Sequence, residues 1–311
     1  MSDIILHHYP ASPFSEKVRC ILGFKKLAWS SVTIPTVMPK PDLIALTGGY
    51  RKTPVMQIGC DIYCDTKLIA NALDRIQPDP PLLIKGHEAT ALMVEQWSEQ
   101  VLFFLCVPIV FQPAGMAQFF SSQPPGVAEN FQKDRASLFA AGSARRPSMA
   151  TTRSELPSFL AQLDAQLAAS DYLEGGVPSL SDFSIYHPIW FVVSNPAVAS
   201  YFDGYKNIRR WAARMTGIGH GSPTVMTSEE AIHCARSSVP HSRHSESILD
   251  FSGCKAGDTV SVSATDYGAD PVIGTLLPSG PDEIVLQRED PRAGTVIVHV
   301  PRVGFKASLV K

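Results

Sequence analysis

Four short stretches in the first 66 residues join reactive or charged side chains to chain turns. Ser12 precedes Pro13 in Tyr9-Pro-Ala-Ser-Pro-Phe-Ser-Glu-Lys-Val-Arg-Cys20, just after the apolar run Ile4-Ile5-Leu6. Serine at an N-cap followed by proline starts a helix. That terminus presents unpaired N–H groups and the positive end of the helix dipole, so an anion such as a thiolate is stabilised there. Lys40-Pro-Asp then puts a cation in an irregular stretch. Lys52-Thr53-Pro54-Val55 puts a proline where a strand begins, and Asp65-Thr66 sets an acid and a hydroxyl at a second helix start. Taken singly these are a cap, a solvated loop charge and another cap. Their joint order and spacing make the candidate reaction centre.

Alternating strands and helices must position them. Residues 3–9 read as a strand, 13–27 as a helix and 31–35 as a β-branched strand. The stretch 36–50 reads as irregular because of prolines 39 and 41 and the Gly48-Gly49 pair. Residues 54–58 and 61–64 read as a strand pair turned at Gly59, and 66–76 as a helix with Leu68, Ile69, Ala72, Leu73 and Ile76 on one face. Beyond a stiff 77–81 linker the pattern becomes helical: 88–111, broken near Pro108 and Pro113, then 153–169, 179–193 and 206–215. Residues 114–125 read as a proline- and glycine-punctuated insertion. From 259 on, short β-branched runs (259–264, 272–277, 283–287, 295–300) predict a separate small barrel or sandwich. The chain is thus expected to be α+β and multidomain, with units at 1–80, 87–230 and 245–311.

Bulk properties narrow the function classes. The chain has 311 residues, 45% of them apolar and 18% charged, with a net charge of −2. That is enough to build cores but gives no basic field, which argues against nucleic acid as the main partner. The longest apolar run, 101–111, contains Pro108 and falls short of a bilayer. A polar Met1-Ser2-Asp3 start and six scattered cysteines point to the reducing cytoplasm. Cys60 and Cys64 read as core thiols. The serine- and histidine-rich stretch 231–247, with His233, His241 and His244, reads as a flexible linker, and no metal site is expected.

The N-terminal stretches together resemble the first domain of cytosolic glutathione transferases, a thioredoxin-like fold. Ser12-Pro-Phe-Ser-Glu-Lys-Val-Arg is similar to the activating motif of the serine and cysteine classes, nearest the omega class, which has cysteine at the Ser12 position. Thr53-Pro54 resembles the family's cis-proline motif, and Asp65-Thr66 its acid–hydroxyl pair. Ser179-Leu-Ser-Asp182 resembles the family's structural capping box, and Asn207-Ile-Arg-Arg-Trp-Ala-Ala-Arg-Met215 its last common helix. The likeness covers about residues 3–217. The extra β region lies outside it.

This resemblance implies a glutathione transferase that binds glutathione as cosubstrate, without a metal, and works as a homodimer. Its glutathione site would use Phe14, Lys40, Lys52, Thr53, Pro54, Asp65 and Thr66. Asp65 would take the γ-glutamyl ammonium, Thr66 the γ-glutamyl carboxylate, and Lys40 or Lys52 the glycyl carboxylate. Ser12 would stabilise the thiolate for attack on a small electrophile, with Tyr9 and Ser15 as rival activators. Phe14, Phe103, Phe104, Phe119 and Phe120 would wall the second substrate. Ser12 cannot form a mixed disulfide, and Cys20 lies two helical turns further in, so poor disulfide reduction is expected. The alternative is a non-catalytic glutathione-binding or regulatory adaptor of the same fold, without nucleic-acid or membrane partners.

Overall fold

The structure, a computed structural model, describes residues 4–240 and 253–310. Its first part runs β1 (Ile4–His8), α1 (Pro13–Phe24), β2 (Ala28–Thr33), α2 (Pro41–Thr47), β3 (Val55–Ile58), β4 (Asp61–Cys64) and α3 (Thr66–Ile76). Strand β1 pairs parallel with β2 and antiparallel with β3, and β3 turns back onto β4. This is the mixed sheet with helices that the alternating pattern predicts, in the thioredoxin-like arrangement that the family resemblance implies. Helix α2 replaces the irregular stretch expected at 36–50. Pro41 sits in its first turn, where a missing N–H costs nothing, and Gly48 closes it in the left-handed conformation (φ 77°).

The helical part comprises α4 (Glu88–Trp97), a π-helical turn (Ser98–Leu102), α5 (Phe103–Val110), α6 (Pro113–Phe119), α7 (Val127–Leu138), α8 (Met149–Ala169), α9 (Leu180–Val193) and α10 (Lys206–Gly217). Helix α9 is the central one. Nearly all of it is buried, and it packs against α1, α4 and α5. Its start is fixed by Asp182, which accepts from the Ser179 N–H (3.0 Å), the Leu173 N–H (3.0 Å) and Trp211 Nε1 (2.9 Å). Ser179 and Asp182 therefore hold α9 to α10 and lie apart from the cavity described below. The run Glu88–Val110 is 23 residues long and meets the length and composition of a bilayer span, longer than the sequence reading allowed. It packs against α8 and α9, and it carries the buried Glu95.

The chain then adds β5 (Ser222–Val225) beside β2 and returns through α11 (Ser228–Ser237) to β6 (Thr259–Ala264), β7 (Val272–Leu277), β8 (Glu283–Asp290), β9 (Gly294–Pro301) and β10 (Phe305–Leu309). Helix α11 overlaps the first part of the stretch read as a linker. A Thr227–Glu230 capping box starts it, and Ala231, Ile232 and Ala235 are buried. His233 is exposed on it, while His241 and His244 lie outside the described residues. The C-terminal third is β, as its strand-length runs predict. It is not closed on itself. Strand β9 lies parallel beside β4, with Ile62 opposite Val298, and this pairing makes one sheet in the order β10-β6-β7-β8-β9-β4-β3-β1-β2-β5. Residues of β1 to β4, α2, α11 and β6 to β9 share a single apolar core. Covering the β4 edge this way buries apolar strand residues that a separate barrel would leave facing water.

His299 marks the seam. It is fully buried between Asp61 (Nε2 to Oδ1 3.0 Å) and Glu283 (Nδ1 to Oε2 2.7 Å), with its ring stacked 4.3 Å from Tyr63.

Candidate active site

Ser12 is the N-cap of α1. Its Oγ accepts from the Ser15 N–H at 3.2 Å, and its own N–H donates to the Tyr9 carbonyl at 3.2 Å. It lines a cavity of about 380 Å3 between the strand–helix turns and the helical part. Tyr9, Phe14, Lys40, Lys52, Thr53, Pro54, Asp65 and Thr66 line the same cavity, so chain segments far apart in sequence converge there. Ser15 does not reach it. That side chain is fully buried beneath α1, and its Oγ has no hydrogen-bond partner among the described residues. Of the two rivals to Ser12, Tyr9 alone is placed to compete. Its enclosure pushes the phenol above its usual range, opposed by the Arg135 guanidinium and the neighbouring Ser12 hydroxyl. The phenol therefore stays protonated at neutral pH and is a donor.

Two groups of charged residues line the cavity with Ser12. The first centres on Lys40, which is buried. Its Nζ donates to the Arg51 carbonyl and Thr53 Oγ1, both at 3.3 Å, and no carboxylate pairs with it among the described residues. Burial and the Arg135 charge lower its pKa to about 8, against the pull of Asp134. The Thr53–Pro54 peptide bond is cis. In the second group Asp65 caps α3 and accepts from the Lys67 N–H at 3.1 Å. Its enclosure and the nearby Glu99 raise its pKa to about 6, while Lys52 opposes the rise. The Thr66 hydroxyl donates to Glu99 Oε1 at 2.8 Å, and Lys17 reaches Glu95 and Glu99, both at 2.7 Å. Burial lowers the Lys17 pKa, but these two carboxylates hold it above the ordinary value.

Lys52 differs from expectation. Its ammonium is paired with Asp266 Oδ1 at 2.7 Å and lies 4.1 Å from the Tyr267 ring centroid. A cation so engaged is less available to an incoming carboxylate than Lys40 is. Cys20 is fully buried, donates to Glu16 Oε1 at 3.4 Å, and has its thiol pKa driven far up by desolvation and Glu16. It is no nucleophile. Glu16, Cys20 and His220 are the grouping of potential metal ligands among the described residues, and Glu16 is already bound to Arg19 at 2.7 Å.

The remaining walls are aromatic. Phe14 packs edge-on to Phe103 at 4.7 Å, and Phe104, Phe119, Phe131, Phe139 and Phe191 line the same space. Phe120 packs behind, against Phe119 and Phe131. Beneath Phe14 lies the buried His187, 4.7 Å away, whose burial keeps it neutral.

Comparison with known proteins agrees with this architecture. Residues 6–81 match the family model "Glutathione S-transferase, N-terminal domain". The crystal structure of a GST-like protein from Pseudomonas syringae is 40% identical, with each chain covered in full and a TM-score of 0.83. The chain belongs to the glutathione S-transferase-like family. That full coverage includes the C-terminal strands, so the extra sheet is shared with that protein. Among curated proteins, FtsZ-localized protein A of Caulobacter vibrioides is 22% identical over 184 residues, or 58% of this chain and 72% of that protein. A glutathione S-transferase from Rhodospirillum rubrum shares the fold over 68% of this chain and 87% of its own, at 16% identity and a TM-score of 0.51.

Against this family background, several cavity residues escaped sequence reasoning, among them two acids, an arginine and a tyrosine. Glu99 sits on the π-helical turn, a local distortion that often marks a working site. Arg135 comes from α7, and Asp266 and Tyr267 from the β6–β7 connection. No local motif surrounds any of them.

Proposed function

We propose that this chain binds glutathione and stabilises its thiolate for attack on a small electrophile. The observation that carries the reading is Ser12 at the start of α1, lining one cavity with the Asp65–Thr66 cap and with Lys40, which has no carboxylate partner among the described residues. A tripeptide zwitterion needs such a set: a cation for its glycyl end, an acid for its ammonium, and a helix N-terminus for its γ-glutamyl carboxylate. Lys40, Asp65 and Thr66 fill these roles, the Thr53 backbone lies alongside the cysteinyl unit, and Glu99 adds a second acid beside Asp65.

The Ser12 hydroxyl donates to sulfur. A thiol near pKa 8.5 is little ionised at neutral pH, and one hydroxyl donor combined with a helix dipole lowers that value. Spectrophotometric titration of the bound thiol tests this. Ser12→Ala is expected to raise its pKa by about one to two pH units, Tyr9→Phe to raise it less, and Ser15→Ala to leave it unchanged. An unaltered pKa in Ser12→Ala with a rise in Tyr9→Phe assigns activation to Tyr9 instead. The reading includes a homodimeric cytoplasmic enzyme.

A second reading, a glutathione-binding adaptor without turnover, is favoured by Lys52 being committed to Asp266 and the Thr66 hydroxyl to Glu99. Retention on immobilised glutathione with no turnover of general electrophiles decides for it.

A further inference from the structure

The cationic side chains that line the cavity are Lys40, Arg51, Lys52, Arg135, Arg145 and Arg146. Four of them have carboxylate partners: Arg51 with Asp270, Lys52 with Asp266, Arg135 with Asp134 and Arg145 with Glu155. Asp134 is shared, since it also faces Arg51 at 3.7 Å and accepts the Met38 N–H at 2.9 Å. Lys40 and Arg146 have no carboxylate partner among the described residues. The cavity therefore holds positive charge for two anionic groups. The glycyl carboxylate at Lys40 accounts for one, on the reading proposed above. The other lies at the aromatic end.

Arg146 stacks there over the Phe139 ring, 5.4 Å from its centroid, and Arg135 lies 4.9 Å from the centroid of Phe131. Arg135 already gives Nε and Nη2 to Asp134 and Nη2 to the Thr36 carbonyl, and Arg146 gives Nη2 to the Phe139 carbonyl. A guanidinium has five N–H donors, so each keeps others for a carboxylate or sulfonate. Arg135 also acts on the Tyr9 phenol beside Ser12, which places its charge next to the reactive hydroxyls. Phe139 in turn stacks on Tyr267 at 4.6 Å, so the surface beside these arginines is flat and apolar.

We infer that the second ligand of this cavity is an aromatic acid, its ring held among Phe131, Phe139 and Tyr267 and its anionic group read by Arg135 and Arg146. This deepens the proposed function by naming the class of electrophile, and it rests on that reading only for the role of Lys40. A neutral aromatic electrophile would leave Arg146 without an anion and gain only apolar contact.

The test compares 3,5-dinitrobenzoate with 3,5-dinitrobenzamide. They share a ring, differ by one charge and carry no leaving group. Calorimetry on the whole protein should show the benzoate binding at least about tenfold more tightly, the strength of one charge-assisted hydrogen bond. Arg135→Gln and Arg146→Gln should each reduce that ratio severalfold, and the double variant should abolish it. Arg146 is exposed and carries no ion pair among the described residues, so its replacement does not threaten folding. Equal affinities for the two probes in the natural protein, or a ratio unchanged in both single variants, overturn the inference. Glutathione affinity on the same preparation reports on the tripeptide site separately. A benzoate preference that persists where glutathione fails to bind keeps this inference and removes the earlier reading.

Discussion

The Lys52 ammonium lies 2.7 Å from Asp266 Oδ1, on a side chain 214 residues further along the chain. The pair joins the thioredoxin-like part to the β6–β7 connection at the cavity wall, and Gln100 Nε2 adds a 3.4 Å contact to the other carboxylate oxygen. Asp266→Asn removes the charge and keeps the shape. We expect it to lower stability by about 1–3 kcal/mol and to tighten binding of S-methylglutathione, because Lys52 becomes a second cation for a carboxylate. Urea unfolding and calorimetry read the two effects. Weaker binding by a folded Asp266→Asn protein would show that Lys52 plays no part in anion capture.

Lys40 and Asp65 set a pH window for the same ligand. The Lys40 amine, held down to about 8 by burial, loses its proton as pH rises through that value. Asp65, pushed up to about 6 by its enclosure, loses its negative charge as pH falls through that value. S-methylglutathione has no titrating thiol, so its affinity should be greatest between about 6 and about 8. It should fall by up to about tenfold per pH unit outside that range. Lys40→Met should remove the alkaline limb and Asp65→Asn the acidic one. A flat profile in the natural protein would disconnect both residues from the ligand.

His299 holds the seam between β4 and β9. Replacing it with leucine strips Asp61 and Glu283 of a buried partner, a change that costs about 3–5 kcal/mol when one member of such a set is removed. The Asp61→Leu/His299→Leu pair should recover much of that loss, since an apolar pair leaves no Asp61 charge at the seam. The urea midpoint checks the size. Hydrogen exchange should show protection falling first in β4 and β9.

Gly142 lets two loops touch. It has φ 97°, and a Cβ there would sit 1.9 Å from the Asp266 carbonyl oxygen. The following Ser143 and Ala144 N–H groups donate to the Thr265 and Asp266 carbonyls, both at 3.0 Å. Gly142→Ala should break these bonds and cost about 2–3 kcal/mol. The expected signature is rapid exchange of amides 143 and 144, with the rest of the sheet unchanged.

Local chemistry in this chain was legible and long-range chemistry was not. Ser12-Pro13, Asp65-Thr66 and Ser179–Asp182 announce themselves because a helix start needs a cap within three residues. Thr227–Glu230 carries the same signal and would have located α11, had the serine and histidine content nearby not been read as a linker. Pro41 was read as a breaker although it stands where a helix tolerates it. Glu99, Arg135 and Tyr267 are different. Each reaches the cavity through the packing of a whole element, and no spacing within their own segments encodes that approach. The same holds for β9. Its alternation predicts a strand, but only the open edge of β4 specifies its neighbour.

That strand pairing has a consequence during synthesis. Asp61 and Ile297 become neighbours only after the ribosome has added the residues between them. Translation runs at about 5–20 residues per second, so β4 waits on the order of ten seconds or more with its backbone edge unpaired. Throughout that interval the nascent chain presents a strand edge of the kind that recruits other chains. Yield in the cell should therefore depend on how quickly translation delivers β9, and slow codons between β5 and β9 should send more of the protein to aggregates without altering a single contact in the finished fold.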